Sequence, residues 1–330
     1  VTIARILSGL GRALVAAGVL LLLFVAFQLW GTGLRTAQAQ DRLEEEFERR
    51  LAEVSATDGA AADTTTPTEV PPVDPAVTEP PVQDGPADPA DLPPPVDGDP
   101  LGRIRIEAIG VDFTFVEGDS LLRLQDGPGH FPSTPLPGQP GNAALAGHRT
   151  TFLAPFHRLD ELVEGDVIEV TTLQGRFRYE VLAQPPAYEG AEPLGHFIVQ
   201  PEDVWILDPT EENLLTLMAC HPKYSAAQRI VVRAALVGAP APETPRPEPV
   251  EGEDDLPSEL LTNEPAAKGP ALAYSAATLG LWAAAWAVAR RWRAWRSWRW
   301  WATYAVALAP FAVLLYLTFE QLSRLFPAGY

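Results

Sequence analysis

Cysteine is almost absent: Cys220 is the only one in 330 residues. That excludes an intrachain disulfide and any zinc site built from several thiolates. No stretch has calcium-loop spacing or a glycine-rich phosphate cradle, so no metal or cofactor is expected. The nearest acidic cluster, Asp160, Glu161, Glu164 and Asp166, reads as a solvated face. Lysine is scarce too, with only Lys223 and Lys268 beside many arginines. The formal charge of −19 argues against nucleic acid as a partner. A single unpaired thiol in an exported domain is a candidate reactive group.

What is present is segregated along the chain. Residues 1–12 are basic and acid-free, and 13–30 form an apolar run long enough to span a bilayer. A cleavable signal peptide is the competing reading, since Ala37-Gln38-Ala39 resembles a processing site, but the run is long for a signal core. Residues 41–56 have helical spacing, with Leu43, Phe47, Leu51 and Val54 near one face. Residues 57–100 hold twelve prolines, ten acids and no basic residue, which predicts a disordered, self-repelling spacer whose role is reach. A second Pro/acid-rich linker covers 239–269. Apolar runs at 271–289 and 301–319 flank an arginine- and tryptophan-rich turn at 290–300, the pattern of a transmembrane pair with that turn in the cytoplasm.

Between the linkers, 101–238 is about the size of one folded domain. Eight short strands are predicted: Arg103–Ile106, Val111–Val116, Asn142–Gly147, Val167–Thr171, Arg176–Ala183, Val204–Leu207, Asn213–Cys220 and Ile230–Val237. Helical pieces are expected at Ser120–Leu124 and Pro155–Leu162. Many short strands broken by Gly/Pro turns predict a mainly β fold, a closed or nearly closed barrel.

Asn213–Arg233 concentrates the chemistry. Leu214, Thr216, Met218 and Cys220 alternate with Leu215, Leu217 and Ala219, the two-residue period of a strand that Pro222 ends. Arg229 opens the next strand, so Cys220 and Arg229 reach one cleft edge. Cys220 is the candidate nucleophile, because a nearby cation favours the thiolate. His148 ends an earlier strand at the barrel rim and is the candidate base. His221 adjoins Cys220 and so points to the opposite face. His130, His157 and His196 read as loop or surface residues, and Arg233 as an ordinary surface arginine.

Thr216, Leu217, Cys220 and Arg229 resemble the signature of sortases, with Ala219 where that family usually has Thr. The string Cys-His-Pro-Lys-Tyr-Ser-Ala-Ala-Gln-Arg, residues 220–229, is similar to the class E branch of actinobacteria, and Gly127–Asp166 is laid out as in that branch. The resemblance covers Leu101–Val237 and implies an eight-stranded sortase-like β-barrel. It further implies cleavage of a Leu-Pro-x-Thr-Gly or Leu-Ala-x-Thr-Gly sorting signal between Thr and Gly through a thioester on Cys220. His148 would be acid and base, and Arg229 would hold the oxyanion or substrate backbone. The implied partners are exported proteins carrying such signals, a cell-wall amine and the membrane, with the barrel outside the cell. A pilin-polymerising sortase and a non-catalytic membrane-anchored binding module are the alternatives.

Overall fold

A computed structural model describes residues 2–61, 92, 94–184, 194–244, 268–294 and 299–323. They belong to two compact units, one from Val1–Thr32 and Ser258–Ala328, the other from Gly33–Pro257 with Gly329–Tyr330. The helices are α1 (Thr2–Ala26), α2 (Thr32–Ala61), α3 (Leu121–Leu124), α4 (Lys268–Ala294) and α5 (Arg299–Ser323).

The larger unit is a closed barrel. Its strands are β1 (Pro100–Ile106), β2 (Val111–Glu117), β3 (Gly129–His130), β4 (Asn142–Ala146), β5 (Val167–Thr172), β6 (Gly175–Val181), β7 (Phe197–Val199), β8 (Leu214–His221) and β9 (Gln228–Val237). Eight of them form the ring β6-β5-β1-β2-β3-β4-β8-β9, which the β6–β9 pairing closes. β9 is long enough to serve two neighbours. Its first part pairs with β7, as Val199 opposite Arg229, and its last part with β6, as Val181 opposite Ala234. β4 and β8 run parallel, from Asn142 beside Leu214 to Ala146 beside Met218. Alternation then sorts side chains between faces: Leu215, Leu217 and Ala219 enter the core with Ala143, Leu145, Ile230 and Val232. Gly110, at φ 70°, takes the left-handed conformation that turns the chain from β1 into β2.

Two expected elements differ. Val204–Leu207 is a 3₁₀ turn rather than a strand. Its carbonyl at Ile206, and that of Asp208 beyond, are satisfied by the Asn142 side-chain amide instead of a ladder. Pro155–Leu162 contains one 3₁₀ turn, Leu159–Glu161, and Phe156, Leu159 and Leu162 bury themselves at its three-residue spacing. β3 and β7, at two and three residues, were too short for periodicity to reveal.

α2 includes the expected 41–56 helix, extends it at both ends, and packs on the barrel. The Gln40 amide behaves as an extra rung on β2. Its Oε1 accepts the Thr114 N–H at 2.8 Å, and its Nε2 donates to the carbonyls of Thr114 (2.9 Å) and Asp126 (2.8 Å). Thr36 donates to the Gln125 carbonyl at 2.8 Å, Arg103 pairs with Glu44, and Arg50 pairs with Asp99. Ala39, part of the processing-site resemblance, is buried within this helix. Most of the 57–100 spacer, residues 62–91 and 93, lies outside the described residues.

In the smaller unit, Phe24 meets Phe319 edge-on at 5.2 Å, Phe27 meets Tyr316 at the same distance, and Thr278 and Thr318 share a 2.9 Å hydrogen bond. Lys268–Trp292 and Trp301–Leu322, which contain the expected 271–289 and 301–319 runs, are long and apolar enough to cross a membrane. Leu14–Ala26, inside the expected 13–30 span, is a shorter apolar helix followed by a π-helical stretch, Phe27–Gly31. Residues 245–267 of the second linker and 295–298 of the arginine-rich turn lie outside the described residues.

Candidate active site

Strand register brings the three candidates together. Cys220, near the end of β8, stands directly opposite Arg229 of β9. On the other side of β8, Ala146 of β4 pairs with Met218, and the Gly147 N–H donates to the Met218 carbonyl at 3.0 Å. Extending that parallel register by two residues sets His148 level with Cys220. The order across the sheet is therefore His148, Cys220, Arg229. All three lie on the face opposite Leu217 and Ala219, the barrel's outer face.

Each is held differently. Cys220 is mostly buried, and burial pushes its thiol up, while Arg229 and then Arg149 pull in the opposite direction. Arg229 is buried and donates through Nη1 to the carbonyls of Ala226 (2.9 Å) and Gln228 (3.0 Å). Both described hydrogen bonds of Arg229 thus use one terminal nitrogen. His148 is 8% exposed, and burial alone lowers its pKa to about 4. Thr151 lies 3.4 Å from its Nδ1, whereas its Nε2 is buried without a hydrogen-bond partner. A buried imidazole nitrogen with no partner costs free energy, and such orphans cluster where a substrate or reacting proton completes the set. Burial thus favours the uncharged form of both the Cys220 thiol and the His148 imidazole.

The loop after His148 is unusual. Phe152, Leu153 and Ala154 have φ of 52°, 61° and 45°, all left-handed. Side-chain-bearing residues pay about 1–2 kcal/mol each for that conformation. It lays the Phe152 ring on His148, centroids 4.8 Å apart, and three local hydrogen bonds help hold it: Ala154 N–H to Thr151, His157 N–H to Ala154 and Phe156 N–H to His148 carbonyls.

Arg149 is a residue that sequence reasoning passed over. Its buried guanidinium donates to the Cys220 carbonyl at 3.2 Å, contacts His221 Nδ1 at 3.1 Å, and pairs with Asp160 at 2.9 Å. Asp160 also meets Lys223 at 3.3 Å. The only available signal was adjacency to His148, which does not reveal where a side chain goes.

Two residues read as surface groups are not. His130 is buried, its Nδ1 facing Glu117 at 2.7 Å and its Nε2 donating to the Pro135 carbonyl at 2.9 Å. Arg233 is half-buried against the stacked rings of Phe197 and Trp205, 5.8 and 5.3 Å from their centroids. His157 donates to the Arg149 carbonyl, and His196 has a buried Nδ1 without a partner. Among the described residues, no three His, Cys, Asp or Glu side chains converge as a metal site would require.

The family model described as Sortase domain matches residues 104–237. Sortase SrtE1 of Streptomyces coelicolor is 25% identical over 247 residues, covering 69% of this chain and 56% of that protein. Sortase SrtE2 of the same organism is 26% identical over 278 residues, covering 78% and 89%. The chain thus spans little more than half the length of the first of these relatives. A Sortase D5 transpeptidase structure from Clostridium perfringens is 25% identical, covering 61% of this chain and 99% of that one, with a TM-score of 0.43. The barrel that carries Cys220 matches the sortase domain model, and the relatives it is similar to include class E-like sortases.

Proposed function

We propose that this protein is a membrane-anchored transpeptidase that cleaves a C-terminal sorting signal of the Leu-Ala-x-Thr-Gly or Leu-Pro-x-Thr-Gly kind. The observation that carries this reading is the placement of His148, Cys220 and Arg229 side by side on three neighbouring chain segments. His148 Nε2 takes the Cys220 proton as the sulfur attacks the Thr carbonyl carbon. Arg229 stabilises the oxyanion of the tetrahedral intermediate. The Thr–Gly C–N bond then breaks, the proton passes from His148 to the leaving amine, and a thioester remains on Cys220. An amine of a cell-wall precursor attacks the thioester, His148 takes its proton, and the thiolate leaves and is reprotonated.

The anchoring part rests on the two apolar helices α4 and α5 together with the arginines around 290–300. Their charge bias supports a cytoplasmic turn and a barrel on the outside. Intact-mass spectrometry of the full chain with each peptide tests the chemistry. A mass increase equal to the acyl fragment, mapped to Cys220 and absent from Cys220→Ala, is expected. Turnover that survives Cys220→Ala excludes the mechanism.

A further inference from the structure

α2 comes close to the loop after His148 at Gly33. Gly33, Thr36, Ala37, Gln40 and Glu44 recur at three- and four-residue spacing, so they form one stripe of the helix. Thr36, Gln40 and Glu44 bind the barrel as described above. Gly33 extends the same stripe toward the loop after His148. A Cβ placed on Gly33 would stand 3.0 Å from Leu153 Cδ2 and 3.7 Å from its Cγ, so any larger residue here requires the Leu153 side chain to give way. Glycine is otherwise a poor choice inside a helix. Leu153 also lines a small cleft with Ala37, Gln40 and Thr114, whose charged neighbours are Asp41, Glu44, Arg103 and Asp112.

Leu153 is the middle residue of the left-handed turn, and Phe152 beside it covers His148. A turn in a disfavoured conformation persists only where its surroundings hold it. Among its holds are the local hydrogen bonds, the ring contact with His148 and the Gly33–Leu153 contact.

We propose that α2 is a positioning element for His148: Gly33 seats Leu153, and the seated turn keeps Phe152 against the imidazole. Gly33 and Leu153 act on the reaction through Phe152 and touch no substrate. The catalytic consequence rests on the proposed transpeptidase function, while the structural coupling stands apart from it. The helix that leads directly from the N-terminal apolar segment is thereby wired to the base, and movement of α2 on the barrel changes how His148 is presented.

The test uses the full chain in detergent, with ¹³C-labelled histidine and His148 assigned by His148→Gln. Gly33→Val forces Leu153 away, yet valine is no worse a helix former than glycine, so α2 itself is not penalised. The His148 midpoint is expected to move up from about 4 toward the ordinary 6.5 as Phe152 lifts. Cleavage of the sorting peptide is expected to fall about 10- to 100-fold, the scale of a small misplacement of a catalytic group. Gly33→Val with Leu153→Ala restores room at the contact and should return the midpoint most of the way, a coupling that a general loss of stability would not produce. An unchanged midpoint in folded Gly33→Val overturns the proposal, as does a double variant no closer to the parent than the single one. If the parent chain cleaves no sorting peptide, the proposed function fails, and the titration still decides the α2 contact.

Discussion

The Arg149 guanidinium donates to the main-chain carbonyl of Cys220 across 3.2 Å while its own backbone directly follows His148. One residue thus ties the segment carrying the base to the strand carrying the nucleophile, and its charge lowers the thiol's proton affinity. Arg149→Met should raise the pH midpoint of Cys220 alkylation by iodoacetamide. It should also cost about 1–3 kcal/mol in urea unfolding, the scale of leaving a buried partner unsatisfied. Arg149→Lys keeps the charge but loses the planar fork, so it should preserve the alkylation midpoint while still losing stability. A midpoint that rises equally in both variants would show that geometry, not charge, sets the thiol.

What the sequence disclosed follows the length of the signal. β8 and β9 were legible because eight- and ten-residue strands show many turns of a two-residue period, and their join placed Cys220 opposite Arg229. β3 and β7 offered no period to read. Val204–Leu207 was apolar throughout and so ambiguous, and a distant amide on Asn142 decided its form. Arg149, Arg233 and His130 were misjudged or passed over for one reason. Burial of a polar side chain depends on partners far away in sequence, such as Asp160, Trp205 or Glu117, and no local pattern encodes them.

His148 makes stability sensitive to acid. Its pKa is lowered to about 4 in the folded chain from 6.5, so between those values the unfolded chain binds a proton that the folded one does not. Stability therefore falls as pH drops from about 6.5 to about 4, by about 3 kcal/mol, and this group adds no further loss below that. Burial pushes His196 and His221 the same way. Chemical denaturation of His148→Gln across this window should show a shallower acid loss than the parent, with the remainder due to those two histidines. Parallel curves would mean His148 is solvated in solution.

Asn142 is fully buried and fully used: its amide donates to the carbonyls of Ile206 and Asp208, and its Oδ1 accepts from Thr216 at 2.6 Å. Asn142→Ala strands all three partners and should cost about 2–3 kcal/mol in denaturant unfolding. Asn142→Asp should be worse near neutral pH, because a carboxylate there faces two carbonyl oxygens. An alanine variant as stable as the parent would mean that water replaces the amide.

Membrane orientation has a direct test. Arg5 and Arg12 precede the first apolar run, and the arginines of 290–300 lie between the last two. With positive charge on the cytoplasmic side, the expected topology is three spans with both basic segments inside. In a Cys220→Ala background, an impermeant maleimide applied to intact cells should label Ala266→Cys but not Ser297→Cys. Equal labelling would favour an Arg/Trp helix lying on the bilayer surface.

Arg229 separates charge from shape in the proposed chemistry. It stands opposite Cys220, and both of its described bonds leave from Nη1 to the carbonyls of Ala226 and Gln228, which fixes the guanidinium plane. A planar donor fixed in this way is preorganised for an oxyanion that exists only in the transition state. Arg229→Ala should lower kcat/KM for a sorting peptide by about 10²–10³, the usual scale for one oxyanion donor. Arg229→Lys should recover little of it, since an ammonium on a flexible stem neither meets both carbonyls nor holds a fixed direction. The thiol supplies an internal control, because Arg229 also lowers its proton affinity. Arg229→Lys should keep the alkylation midpoint near that of the parent while turnover stays low. If lysine restores turnover along with the midpoint, Arg229 serves the thiol through its charge, and the oxyanion role passes to another group.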